Sequence, residues 1–321
     1  MTNPFDRLNL TFPIFQAPIG SIASPELAAA TSNAGGLGHL ACTWLAPDLL
    51  RQLFERMSTL TDRSWGANFV LDFPVEERLT VSLNHGVRAI SFFWGDGGRY
   101  IHRVKAAGAV AIQVVGSIDE AKRAADSGFD LIVAQGRDAG GHVRGELGTM
   151  SLVPQVVDAV SPAPVLAAGG IADRRGVAAA FALGASGVWV GTRFLAAEEA
   201  NIHPRYQERV LAATGDDTLC SEVFDVGWPK APHRTIRNKT TDQLLDAGRP
   251  APYRPGEGET VARRADGTAI PRYSFSAPTR EATGDIEAMA LYAGAAVGIV
   301  QSREAASVIV RDLAAGLHCK K

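Results

Sequence analysis

"PVLAAGGIADRRGVAAAFALGASGVWVGTRFL", residues 164 to 195, holds two apolar runs joined by a helix-like stretch. The first run, "PVLAAGG" (164 to 170), ends on paired glycines, and "GVWVGTRFL" (187 to 195) is the second. Between them "DRRGVAAAFALG" (173 to 184) is amphipathic and closes on glycine, as helix C-termini often do. Strand, helix and strand in this order is the pattern of a βα unit in a parallel sheet. Reading toward the N-terminus, the same alternation repeats with "DLIVAQG" (130 to 136), "AVAIQVV" (109 to 115), "AISFFW" (89 to 94), "WGANFVL" (65 to 71), "GLGHLA" (36 to 41) and "PIFQAPI" (13 to 19). Amphipathic segments such as "APDLLRQLFERMSTL" (46 to 60) and "SIDEAKRAADSG" (117 to 128) lie between them.

Eight such units close a TIM barrel, whereas an open doubly wound sheet uses about five or six strands. A dinucleotide fold would also want G-x-G-x-x-G after its first strand, and "QAPIGSIASPEL" does not comply. The expected fold is therefore α/β, a (β/α)8 barrel over residues 1 to 213. Residues 214 to 281, rich in Pro, Gly, Arg and Asp, read as a lid-like insertion with little periodicity in its middle. Helical pattern returns in "DIEAMALYAGAAVGIVQ" (285 to 301) and "REAASVIVRDLAAGL" (303 to 317), so residues 282 to 321 are expected to pack as helices on the barrel.

Composition narrows the function classes. With 46% hydrophobic and 21% charged residues and a formal net charge of −2 over 321 residues, the chain has an ordinary globular profile. No basic stripe suggests nucleic acid, and no apolar run reaches the roughly 18 residues that span a membrane. A cytosolic protein is expected. Cys42, Cys220 and Cys319 stand far apart in no CxxC pattern and read as free thiols, and no metal-ligand spacing is found among the seven histidines.

In a TIM barrel the chemistry sits at the C-terminal ends of the strands, with phosphate held after the seventh and eighth. "AAGGIADRRG" supplies Gly169 and Gly170 there, and "VGTRF" supplies Gly191 and Thr192: unhindered amides and a hydroxyl that can donate to phosphate oxygens. Other strand ends offer Gln16 followed by Ala17 and Pro18, Asn68 in "GANF" and Gln113 in "AIQVV". Singly each amide is more often structural; together they suit a planar heterocycle. The sixth strand leads into "AQGRDAGGHVRG" (134 to 145), where His142 follows two glycines. That turn reads either as a sharp loop with a solvated histidine, or as main chain pressed against a ligand with one imidazole beside it.

Taken in order, "FPIFQAPIG", "SNAGGLG", "GANF", "QGRDAGGH", "AAGGIADRRGVAAAFALGASGVWVGTRFL" and "MALYAGAAVG" resemble the nitronate monooxygenase family, formerly called 2-nitropropane dioxygenases, over nearly the whole chain. Similar phosphate loops occur in the IMP dehydrogenase group, whose catalytic cysteine follows strand six; this chain has none between Cys42 and Cys220. The resemblance implies non-covalent FMN, its phosphate on the loops after strands seven and eight, with Asn68 and Gln113 near the isoalloxazine. It also implies that Ala139, Gly140 and Gly141 lie against the ring and that His142 stands at its reacting face. Asp138 occupies a position where the family usually has Glu. Imidazole, with an ordinary pKa near 6.5, suits either a base that deprotonates a carbon beside a nitro group or a cation that steadies a nitronate.

The expected activity is oxidation of alkyl nitronates with FMN and O2 to a carbonyl compound and nitrite, on a small-molecule substrate. Two alternatives compete: an NAD(P)H-dependent FMN reductase acting on quinones or an enoyl thioester, and a non-catalytic ligand-binding barrel. A homo-oligomer is compatible with the sequence, which does not fix the assembly.

Overall fold

The computed structural model describes residues 3–248 and 253–318; Cys319 and residues 249 to 252 of the Pro- and Gly-rich stretch lie outside the described residues. Eight parallel strands form the barrel: β1 (Ile14–Gln16), β2 (His39–Ala41), β3 (Gly66–Val70), β4 (Ala89–Phe93), β5 (Val110–Val115), β6 (Leu131–Gln135), β8 (Val165–Ala168) and β9 (Gly187–Val190). The short β7 (Gly141–His142) lies between β6 and β8 in the chain and pairs elsewhere. β1 pairs with β9, and bonds from Gln16 N to Leu37 O and from Leu37 N to Ile14 O close the ring on the β2 side. Each strand matches one of the apolar runs, trimmed by a residue or more at its ends. The expected helices form as well: Pro47–Leu60, Ile118–Ser127 with Ser117 capping Glu120 N, and Arg174–Ala182 with Asp173 capping two amides.

Side chains alternate across the strands as pleating requires. Val110, Ile112 and Val114 of β5, Leu131 and Val133 of β6, and Ala168 and Trp189 fill the barrel interior. Ala111, Val115 and Ile132 belong instead to the larger core between strands and helices. This parity decides which strand-end residues face the mouth.

One expectation fails downstream of the barrel, that of a helix over 285 to 301. Residues 214 to 281 carry regular structure toward both ends: β10 (Thr218–Ser221) and β11 (His233–Ile236) pair antiparallel, and β12 (Thr260–Arg263) and β13 (Ala269–Pro271) form a hairpin. The stretch 285 to 301 is not a helix but two short 3-10 turns, Ile286–Ala288 and Ala295–Ile299, with extended chain between. Met289, Ala290, Leu291 and Ala293 are all buried, so no polar face remains to mark a surface helix. Tertiary bonds take the backbone: Ile236 N donates to Leu291 O, and Asn238 Nδ2 to Met289 O. The last helix is Ala306–Ala315. Cys42 is buried and Cys220 half-buried, and both are free thiols. Among the described residues no helix is long and apolar enough to cross a membrane.

His39 on β2 is fully buried, its ring 4.5 Å from that of Trp189, and neither ring nitrogen has a hydrogen-bond partner. Burial drives its pKa from 6.5 to about 3. The unfolded chain thus takes up a proton at a pH where the folded chain does not, so stability falls as pH drops below 6.5 toward about 3. Urea unfolding between pH 6.5 and 4.5 should show His39 contributing a slope of about 1.4 kcal/mol per pH unit, which His39→Leu removes. Equal slopes in the two proteins would mean that the ring is hydrated or partnered in solution.

Candidate active site

The C-terminal ends of the strands open into a cavity of about 990 Å3. Ala17 and Pro18 after β1, Asn68 on β3, Ala139, Gly140, Gly141 and His142 after β6, Gly169 and Gly170 after β8, and Gly191 and Thr192 after β9 all line it. The fold therefore brings together nearly every residue singled out in the sequence.

Gln113 and Gln16 are the exceptions, and Gln113 is a correction. On β5 it is Val114 that lines the cavity, while Gln113 points with Ala111 and Val115 to the helix side of the barrel. There its Nε2 donates to the carbonyls of Phe92, Gly95 and Val114, and its Oε1 accepts from Gly97 N at 3.1 Å. Both ends of the amide are thus held by backbone, outside the cavity. Gln16 is likewise consumed, its Oε1 accepting from His39 N and its Nε2 donating to the Ala17 and His39 carbonyls. Gln135, at the inward position that continues Leu131 and Val133, is the glutamine that faces the cavity. Its Nε2 donates to His142 O at 3.1 Å, and its buried Oε1 has no partner. Period-two alternation along "LIVAQ" was the available signal for it.

The glycine turn is fixed from three sides. Asp138 Oδ2 accepts from Thr149 N at 2.7 Å, capping the helix Thr149–Val160, while Asp138 O accepts from Ala295 N. A Cβ on Gly140 would sit 2.4 Å from Gly294 N and 2.5 Å from Ala293 C, so only glycine lets these backbones touch. Gly141, at φ +73°, would place a Cβ with nothing within 4 Å, beside the open cavity. β7 then pairs antiparallel with β11, His142 opposite His233 and Gly141 opposite Arg234.

His142 is enclosed by aromatic rings. It stacks on Trp228 at 3.9 Å and 26°, meets Trp94 edge-on at 6.1 Å, and lies 5.3 Å from His233 and 5.5 Å from Tyr292. Its buried Nε2 has no partner. Desolvation, and then the neighbouring His233, hold its pKa well below the ordinary 6.5, so the ring is neutral at pH 7. His233 is itself pinned: Nδ1 donates to Ala231 O at 2.8 Å and Nε2 accepts from Phe224 N at 3.1 Å. Burial lowers its pKa too. Trp228 is oriented by its Nε1–H bond to Asp72 Oδ2 at 3.0 Å. Of the three aromatics at the end of β4, Phe92 packs on Tyr100 in the outer core and Phe93 lines the cavity. Trp94 takes φ +62°, a strained conformation for a bulky residue. Sequence reasoning missed Trp228 and Phe275 as cavity residues, because nothing local in the insertion tells which of its aromatics turn inward, and missed Tyr292 because its segment was read as a helix.

The chemistry of this lining suits a planar heterocycle carrying a phosphate. Gly169, Gly170 and Gly191 present a wall without side chains, and the Thr192 hydroxyl, which accepts from Gly294 N at 2.9 Å, keeps its own proton to donate. Val114, Ala168 and Trp189 form an apolar floor, and Gln135 Oε1 is an unspent acceptor at the edge.

Comparison with known proteins bears on the family and the fold. The family model described as nitronate monooxygenase matches residues 4–78 and 73–316. A (3aS,4S,5R,7aS)-5-hydroxy-7a-methyl-1-oxo-octahydro-1H-indene-4-carboxyl-CoA dehydrogenase of Rhodococcus jostii is 38% identical over 76% of this chain and 67% of its own length. Among solved structures, FabK from Thermotoga maritima superposes with a TM-score of 0.84 at 31% identity, covering 98% of this chain and 96% of that one. Nitroalkane oxidase from Streptomyces ansochromogenes gives 0.78 at 29% identity, with 96% of each chain covered.

The contact between Gly140 and the 293–294 backbone yields a stability test. Gly140→Ala forces backbone against backbone and should cost at or above the upper end of the usual ~1–3 kcal/mol for overpacking. Gly141→Ala meets no atom and should lose only the ~1–2 kcal/mol of a left-handed alanine. Urea midpoints compare the two; equal losses would mean that the turn does not rest on Gly294.

Proposed function

The chain belongs to the nitronate monooxygenase family, and from that membership we propose that it holds FMN in the barrel mouth and oxidises alkyl nitronates with O2 to a carbonyl compound and nitrite. The balance closes when two nitronates and one O2 give two carbonyl compounds and two nitrite ions. An oxidoreductase activity is common to the family and to the named relatives. The observation that carries the finer reading is the half-buried, neutral imidazole of His142 on the cavity wall, whose Nε2 has no partner.

In this reading the main-chain amides of Gly169, Gly170 and Gly191 and the Thr192 hydroxyl hold the phosphate. Ala17, Pro18 and the backbone of Ala139, Gly140 and Gly141 lie against the ring system, with Asn68 at its edge. Gln135 takes the place first given to Gln113, its free Oε1 accepting from a ring N–H. When bound, the flavin supplies the electron acceptor that passes electrons from nitronate to O2. His142 supplies the base: a neutral imidazole can take the proton from the carbon beside a neutral nitro group, and its low pKa argues against a resting cation. Residues 1 to 213 then serve as the cofactor-binding barrel, 214 to 281 as a lid-like wall over its mouth, and 282 to 321 as its support.

The 38% identity to a dehydrogenase named for a carboxyl-CoA substrate favours a second reading, an NAD(P)H-dependent FMN reductase that acts on an enoyl thioester or a quinone. Anaerobic NADH or NADPH bleaches the flavin within seconds under that reading and leaves it oxidised under the first.

The role of His142 is tested by a ratio. His142→Ala should lower kcat/KM for a neutral nitroalkane about a hundredfold or more, the usual range for lost acid-base assistance. The same variant should keep most of its activity on a nitronate deprotonated beforehand. Equal losses on both forms at one pH would replace the base role by anion binding, and no loss on either would leave His142 as part of a structural turn.

A further inference from the structure

At about 990 Å3 the cavity lies at the upper end of the ~300–1,000 Å3 that ordinarily accommodates one drug-sized ligand. Part of its wall has no use in holding a cofactor. Trp44, Leu45, Leu49, Leu53, Trp228 and Phe275 make a continuous apolar arm. Leu49 and Leu53 stand one helical turn apart on the helix Pro47–Leu60 and so share a face. Trp44 packs on Phe73 at 5.3 Å, Phe275 at 5.5 Å and Trp228 at 6.0 Å, and Trp228 reaches His142. An aromatic surface thus leads from His142 out to Trp44.

Trp44 is 40% exposed and Leu49 is 43% exposed, yet both line the cavity. Fully burying such side chains is worth about 1.5–3 kcal/mol each, and a folded chain normally gathers them into its core. Left uncovered side by side in a concave wall, they form a surface for an apolar ligand. The polar residues Arg264, Asp266 and Arg280 also line the cavity, and Arg264 donates to Ser276 next to Phe275.

We infer that this arm receives the hydrocarbon body of the substrate, so that the enzyme selects nitronates whose reacting carbon bears a long alkyl chain or an alicyclic ring over those of propane size. The nature of the reacting group rests on the nitronate reading above; the apolar arm rests on the wall alone.

Two measurements on the purified flavoprotein separate these. The first is kcat/KM for the nitronates of nitroethane through 1-nitrooctane and of nitrocyclohexane. A buried methylene contributes about 0.8 kcal/mol, or about fourfold, so each added carbon should raise kcat/KM by roughly two- to fourfold until the arm is filled. The second is calorimetric Kd for n-alkanoates from three to ten carbons, whose carboxylate imitates the planar two-oxygen anion without reacting. These should tighten by a similar factor per carbon. Leu49→Gln and Trp44→Ser, both at partly exposed positions, should flatten both series while the melting temperature stays within a few degrees. Flat series in the wild type overturn the inference, whether or not nitronates turn over. Alkanoates that tighten with length while no nitronate turns over retain the apolar arm and remove the nitronate reading. Variants with unchanged slopes place the hydrocarbon elsewhere and overturn the assignment.

Discussion

The two-residue ladder between β7 and β11 is the contact on which the site depends. It joins His142 to His233 across ninety intervening residues, so its loop-closure entropy must be met by other contacts. Val143 N donates to Pro232 O, the Arg234 guanidinium donates to Arg137 O, and Ala295 N donates to Asp138 O. These bonds turn a flexible glycine loop into a defined edge. They also bring in Trp228, His233 and Tyr292, the rings that enclose His142. Without the insertion, Gly141 at φ +73° would make the turn mobile and leave the imidazole in water.

Below that edge the barrel interior sets the cavity floor. Trp189 stacks on Phe15 at 6.0 Å and lies 4.5 Å from His39, closing the barrel beneath the mouth. A Cβ on Gly66 would come within 2.3 Å of His39 Nε2, so the small residue on β3 makes room for the ring on β2. Large side chains beside glycines let a narrow barrel be filled without voids. The result is a dry floor under a mouth lined with backbone amides, the low-dielectric setting in which oriented dipoles act most strongly.

The eight strands were legible because each is an apolar run between glycine or polar breaks, and parallel strands buried on both faces read in that way. The glycines at the ends of β8 and β9 were legible as cavity residues because the fold rule says where to look. Amide orientation was not: Gln113 and Gln135 look alike in sequence, and only strand parity, odd positions inward on β6 and even on β5, separates them. The aromatic wall was less legible still. Trp228 follows a glycine at φ +100° and packs through Asp72, 156 residues away, and no local pattern encodes such a contact. The 285 to 301 segment misled for the opposite reason, since burial of Ala288 to Leu291 and of Ala293 and Gly294 removes the polar face that distinguishes a surface helix from an extended core segment.

The same enclosure constrains what His142 can do with a proton once it has one. No carboxylate hydrogen-bonds its ring among the described residues: Asp72 is engaged by Trp228 Nε1, Asp138 by Thr149 N, and Asp225 by the Arg254 guanidinium. His233 offers no relief, because protonating its Nε2 would break the bond from Phe224 N. The face of Trp228, 3.9 Å away, favours an imidazolium, and a cation–π contact is worth about 2 kcal/mol when desolvated. Under the proposed function, that partial compensation suits a base that holds its proton briefly beside a newly formed anion and then releases it, rather than a permanent cation.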